Sequence, residues 1–255
     1  MNRESPKLLA ADANGKIRDI PYLEAAGMKG GLFFKLDPVE LIKLPFGSRL
    51  FKLPLRFPVG RDTRSGNFVS LKGYLAVAAF ISPGFTSTHS VAYRERGRPA
   101  GLPLFSYTAC AFYKDDFYAA AVRVDSARCH DPRFIDMAAV GRAIREIKKT
   151  FHGNRVVAQL ARCALIYGCP GAQNFFIGRY EGPLPVSPEC NASCAGCISR
   201  QASGRCRGSQ PRIRVTPFPE EVAEAALFHI GRVKRPVVSF GQGCEGEPLL
   251  RARVI

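Results

Sequence analysis

Cys190, Cys194 and Cys197 stand in a C-x3-C-x2-C spacing inside the stretch Pro188-Glu189-Cys190-Asn191-Ala192-Ser193-Cys194-Ala195-Gly196-Cys197. Thiolates are the ligands that iron–sulfur clusters and zinc select, and a tight loop can direct several of them at one centre with little buried chain. Three thiolates are one short of the four that a closed all-cysteine zinc site or an ordinary [4Fe-4S] site uses. Unless a fourth cysteine joins, such a loop leaves one iron open to a substrate.

Further along, the chain reads Val237-Val238-Ser239-Phe240-Gly241-Gln242-Gly243-Cys244-Glu245-Gly246-Glu247-Pro248-Leu249-Leu250, a short apolar strand ending in a glycine-rich turn. The pair of motifs resembles the radical S-adenosylmethionine (radical SAM) enzymes, whose C-x3-C-x2-C loop follows the first barrel strand and whose Gly-Glu-Pro turn follows the second. The resemblance covers roughly the last third of the chain, from about Pro183 on. It implies that Cys190, Cys194 and Cys197 hold three irons of a [4Fe-4S] cluster and that the amine and carboxylate of SAM chelate the fourth. It also implies that Gly241, Gly243, Gly246 and Glu247 belong to the SAM site. An electron delivered by a flavodoxin- or ferredoxin-like reductant protein then cleaves SAM to methionine and a 5′-deoxyadenosyl radical, which takes hydrogen from a substrate. Two positions depart from the family pattern. Gly196 stands where an aromatic residue usually precedes the third cysteine, and Glu245 stands where the first of two glycines usually opens the second motif. No side chain is singled out as a catalytic acid, base or nucleophile.

Other readings of the same residues have less behind them. A structural zinc site would recruit Cys206 as C-x3-C-x2-C-x8-C, whereas zinc motifs usually pair two short cysteine steps separated by a dozen or more residues. Gly241-x-Gly243-x-x-Gly246 also satisfies the dinucleotide-binding fingerprint, but Pro248 follows too soon for the helix that fingerprint opens. Cys129-His130-Asp131 resembles a catalytic cluster only on paper, because Asp131 reads as a helix cap and adjacent residues rarely converge on one atom. Cys110, Cys129, Cys163 and Cys169 read as structural thiols. The competing functional class is a non-enzymatic zinc- or cluster-binding protein that contacts nucleic acid.

The elements that must position these residues follow from periodicity and punctuation. Lys7 to Ala11 leads into a turn at Ala13 to Gly15, Tyr74 to Ile81 is an apolar run of strand length, and Phe105 to Tyr113 and Phe117 to Val124 flank Lys114-Asp115-Asp116 as a hairpin. These predict an antiparallel sheet. A helix capped by Asp131, with Pro132 at its first position, carries Phe134, Met137, Gly141, Ile144, Ile147 and Phe151 on one stripe. A second starts at Asn154, buries Val156, Val157, Leu160, Ala164 and Tyr167, and stops at Gly168 before Pro170. After the cysteine loop and a Gly-, Ser- and Arg-rich connection, a third begins near Thr216 to Pro219 with Glu220 and Glu221 in its first turn. It turns Val222, Ala225, Ala226, Ile230 and Val233 to one side and ends at Pro236. The predicted fold class is α/β. An α+β domain of unassigned role spans 1–180, and the first units of a radical SAM type partial (β/α) barrel span 181–255. Only two barrel strands are expected, so the sequence predicts a fragment that ends after the second, packs loosely there and cannot complete SAM cleavage by itself.

At 255 residues and 46% hydrophobic content the chain can bury a real core. No apolar run reaches the roughly 18 to 20 residues of a membrane helix, and no apolar leader follows Met1. Nine cysteines without such a leader favour metal ligation in a reducing compartment over disulfides. The sequence therefore predicts a soluble, cytoplasmic protein. The formal charge of +16 is read either as an arginine-rich composition spread over a solvated surface or as the footprint of a polyanionic partner, RNA or a phosphorylated substrate. Arg200, Arg205, Arg207, Arg212 and Arg214 concentrate it near the cysteines, although no aromatic-interleaved RNA-binding motif accompanies them.

Overall fold

A computed structural model describes residues 4–201 and 206–255, so Arg205 and part of the arginine-rich connection lie outside the described residues. The chain is mixed α and β, mostly antiparallel, and divides into two units. One comprises residues 1–100 and 105–126, the other 101–104 and 127–255.

In the first unit the strand Lys7–Ala11 pairs antiparallel with Ile17–Lys29 and with Cys110–Tyr113. The expected turn between the first two is present, with Gly15 at φ +77°. The apolar run expected to be a buried strand is Leu75–Phe80, whose four inner residues are all buried. The expected hairpin pairs Cys110–Tyr113 with Asp116–Ala119. Its two central residues, Lys114 and Asp115, both take positive φ (49° and 57°), the conformation whose twist matches that of the flanking strands. Glu24 is a buried charge of this sheet, held between Arg61 at 2.7 Å and Lys35 at 2.9 Å.

The second unit is where the sequence reading needs correction. The expected boundary at 180/181 falls instead at Ser126/Ala127. The reason is a shared core: the helices α1 (Met137–Thr150), α2 (Arg155–Leu165) and α3 (Pro170–Phe176) bury Ile144, Leu160, Phe175 and Phe176 together with Val222, Ala225 and Cys244 from the C-terminal part. Asp131 caps a short 3-10 turn, Pro132–Phe134, by accepting from the Arg133 N–H. The α-helix proper begins after Asp136, which caps it through the Ala138 N–H. Met137 is consequently exposed and Val140 takes its place in the core. α2 starts where the sequence predicts, with Asn154 accepting from the Val157 N–H. α3 is absent from the sequence reading: Pro170, taken there as a stop, occupies the first turn of a new helix, where its missing N–H costs nothing.

Two strands, Glu181–Pro183 and Val237–Ser239, pair in parallel with Glu181 opposite Val237 and Pro183 opposite Ser239. Between them runs α4 (Pro219–Ile230), which buries Val222, Ala225 and His229. Its start is fixed to that of α2 by Arg155, which bonds Glu221 at 2.7 Å. The cysteine loop follows the first parallel strand, and the glycine-rich turn follows the second. No helix among the described residues is long and apolar enough to cross a membrane.

Candidate metal centre

Parallel strands expose their carboxyl ends on one edge, so the loops that follow them become neighbours. Here the two loops are bonded to each other. Gly246 donates its N–H to the Ser187 carbonyl at 2.6 Å, and Glu247 donates to the Glu189 carbonyl at 2.8 Å. Gly246 must be glycine for this approach, because a Cβ there would overlap the Glu189 carbonyl. A Cβ at Gly243 would come within 2.5 Å of the tip of Ile198, the residue after Cys197.

Glu245 is the residue that holds the two strand ends together. Its carboxylate is 4% exposed and accepts four backbone N–H groups. Val186 and Ser187 reach one oxygen at 2.7 and 3.0 Å, and Gly241 and Gln242 reach the other at 2.7 and 2.9 Å. The position that departs from the family pattern is therefore the clamp between the two motifs. Its signal in the sequence was only an acidic residue among glycines.

Cys190, Cys194 and Cys197 are free thiols that line one cavity of about 180 Å³ together with Ser193, Arg200 and Arg212. Cys197 has hydrogen-bond donors gathered at its sulfur. Burial opposes its ionisation, but the hydroxyl and N–H of Ser199, the N–H of Arg200 and the Arg212 guanidinium outweigh that and lower the thiol to about 7. The remaining sequence-predicted residues have local roles. Gly241 takes φ +86° at the turn, and Glu247 caps the following 3-10 helix by accepting from the Leu249 N–H at 3.1 Å.

Cys206, the fourth ligand of a zinc reading, does not line this cavity among the described residues. Cys244 is buried away from it and hydrogen-bonds Cys163 of α2. That bond, with burial, raises the Cys244 thiol, while the same bond lowers Cys163 to about 7. His89 and His229 are structural. His229 is fully buried, faces the Tyr180 carbonyl at 3.0 Å and stacks on Phe175.

Among the described residues, no three His, Cys, Asp or Glu side chains converge as ligands of a single metal ion would. A cluster makes a different demand, since each thiolate binds its own iron and the sulfurs surround a cage instead of meeting at a point. Three free thiols around one cavity, one of them near its ionisation point at neutral pH, are a donor set of that kind. No protein-family model, curated protein or solved structure matches this chain.

Proposed function

We propose that the chain carries a radical SAM site. Cys190, Cys194 and Cys197 ligate a [4Fe-4S] cluster, and the turn Gly241 to Glu247, which is bonded to the entry of the cysteine loop but contributes no lining residue to the cavity, belongs to the SAM site. The observation that carries this reading is the seating of Gly246 and Glu247 on the entry of the cysteine loop, at the carboxyl ends of a parallel strand pair. In this reading the pair, with α4 between, opens a partial (β/α) barrel. The chemistry such a cluster supplies when bound is one-electron cleavage of SAM and hydrogen abstraction from a substrate. The electron comes from a flavodoxin- or ferredoxin-like reductant protein.

The chain's own residues supply ligation and placement. Cys197, lowered to about 7 by the donors around its sulfur, ionises more easily than an ordinary thiol, and Glu245 ties the two loops together. Arg200 and Arg212 on the cavity wall, with the +16 charge, favour RNA or another phosphorylated molecule as substrate.

Chemical analysis of anaerobically reconstituted protein tests the reading. It should find about four irons and four sulfides per chain. Alanine in place of any one of Cys190, Cys194 and Cys197 should abolish iron binding, and Cys206→Ala should keep it. Zinc in place of iron, or a centre that needs Cys206, would instead indicate a structural metal site.

A further inference from the structure

The segment leading from the cysteine loop to α4 lies along the loop itself. Gln210 donates its N–H to the Ile198 carbonyl at 3.2 Å, and Ile213, 7% exposed, donates to the Cys244 carbonyl at 2.8 Å. Between these two anchors Arg212 reaches into the cavity. Its Nε donates to the Ser199 hydroxyl oxygen at 3.2 Å and its Nη2 to Cys197 Sγ at 3.5 Å. The same sulfur receives the Arg200 N–H at 3.3 Å and lies 3.6 Å from the Ser199 hydroxyl. One of the three loop sulfurs thus carries a full set of donors, including a cation whose position is fixed at both ends of its short segment.

We infer that Arg212 is a positioning residue that orients Cys197 and sets the reduction potential of the cluster. The inference rests on the cluster reading above. Hydrogen bonds and positive charge at a ligand sulfur stabilise the reduced, more negative cluster and so raise its potential. Arginine suits the place because its planar fork reaches two acceptors in fixed geometry, which a lysine ammonium on a flexible stem does not.

The test is a redox titration of the anaerobically reconstituted full chain, followed by the electron paramagnetic resonance signal of the reduced cluster. Wild type is compared with Arg212→Met, Arg212→Lys and Ser199→Ala. The expected result is equal iron per chain in all four, with a midpoint that falls in Arg212→Met, falls less in Arg212→Lys, which keeps the charge, and falls in Ser199→Ala. A purely structural arginine would reduce the amount of cluster while leaving the midpoint of what forms unchanged, and that outcome overturns the inference. If Arg212→Met holds no iron, the other two variants decide by the same criterion. Failure of the wild type to assemble a cluster removes the radical SAM reading and this inference with it. Assembly with unshifted midpoints removes this inference alone.

Discussion

At the scale of single residues, Glu245 shows what a spacing pattern hides. A buried carboxylate that accepts four backbone N–H groups joins two segments far apart in sequence, and no local pattern marks it before those segments meet. The cysteines were legible because ligation is encoded in their own spacing. The clamp was not, because its partners are backbone groups that any residue provides. Its removal should be costly. Glu245→Ala leaves two buried donors, the Val186 and Ser187 N–H groups, without their partner and frees two less buried ones at Gly241 and Gln242, and unfolding in denaturant should show a loss of about 2 to 3 kcal/mol. Glu245→Gln keeps the shape but can accept on one oxygen only, so it should fall between wild type and alanine. A Glu245→Ala protein as stable as wild type would mean that the two loops hold together without it.

At the scale of elements, the order of loop, helix and strand was readable because α4 and the strand Val237–Ser239 carry their own signals. These are Pro219 with Glu220 and Glu221 at the helix start, and a β-branched pair after Pro236. What failed was punctuation. Asp131-Pro132 and Asp136 both look like helix starts, and only packing of Val140 in preference to Met137 chooses the second. Pro170 ends nothing, because a proline that stops one helix is equally suited to begin the next. The contact between the two loops gives a sharper test at this scale, through two glycines with opposite surroundings. Gly246→Ala puts a methyl group onto the Glu189 carbonyl and should separate the loops, with loss of both iron and thermal stability. Gly196→Ala meets nothing within 4 Å and should match wild type in both, despite lying beside Cys197. Equal behaviour of the two variants would show that the loops need not touch for the centre to form.

At the scale of the whole chain, the sequence placed all three helical segments it recognised correctly in order, yet it assigned two of them to the wrong unit. An amphipathic stripe reveals that a helix is buried but not against what, and α1 and α2 close over the core that also holds Cys244. The boundary at Ser126/Ala127 makes the first unit a sheet with its own buried charge, and that charge sets an expectation for its stability. Burial opposes ionisation of Glu24, but its bonds to Lys35 and Arg61 prevail and hold the carboxyl below its ordinary value of 4.5. A group with a depressed native pKa contributes stability that is complete above the unfolded-chain value and is lost as pH falls through the native one. With partners that are one-third exposed, the contribution should be about 1 to 2 kcal/mol. Amide hydrogen exchange of Lys7–Ala11 and Ile17–Lys29 should therefore lose protection as the pH is lowered below 4.5. In Glu24→Gln the same amides should start less protected at neutral pH and show a flatter decline, since the side chain no longer titrates. Superimposable profiles for the two proteins would mean that the acid sensitivity of the first unit is set by groups other than Glu24.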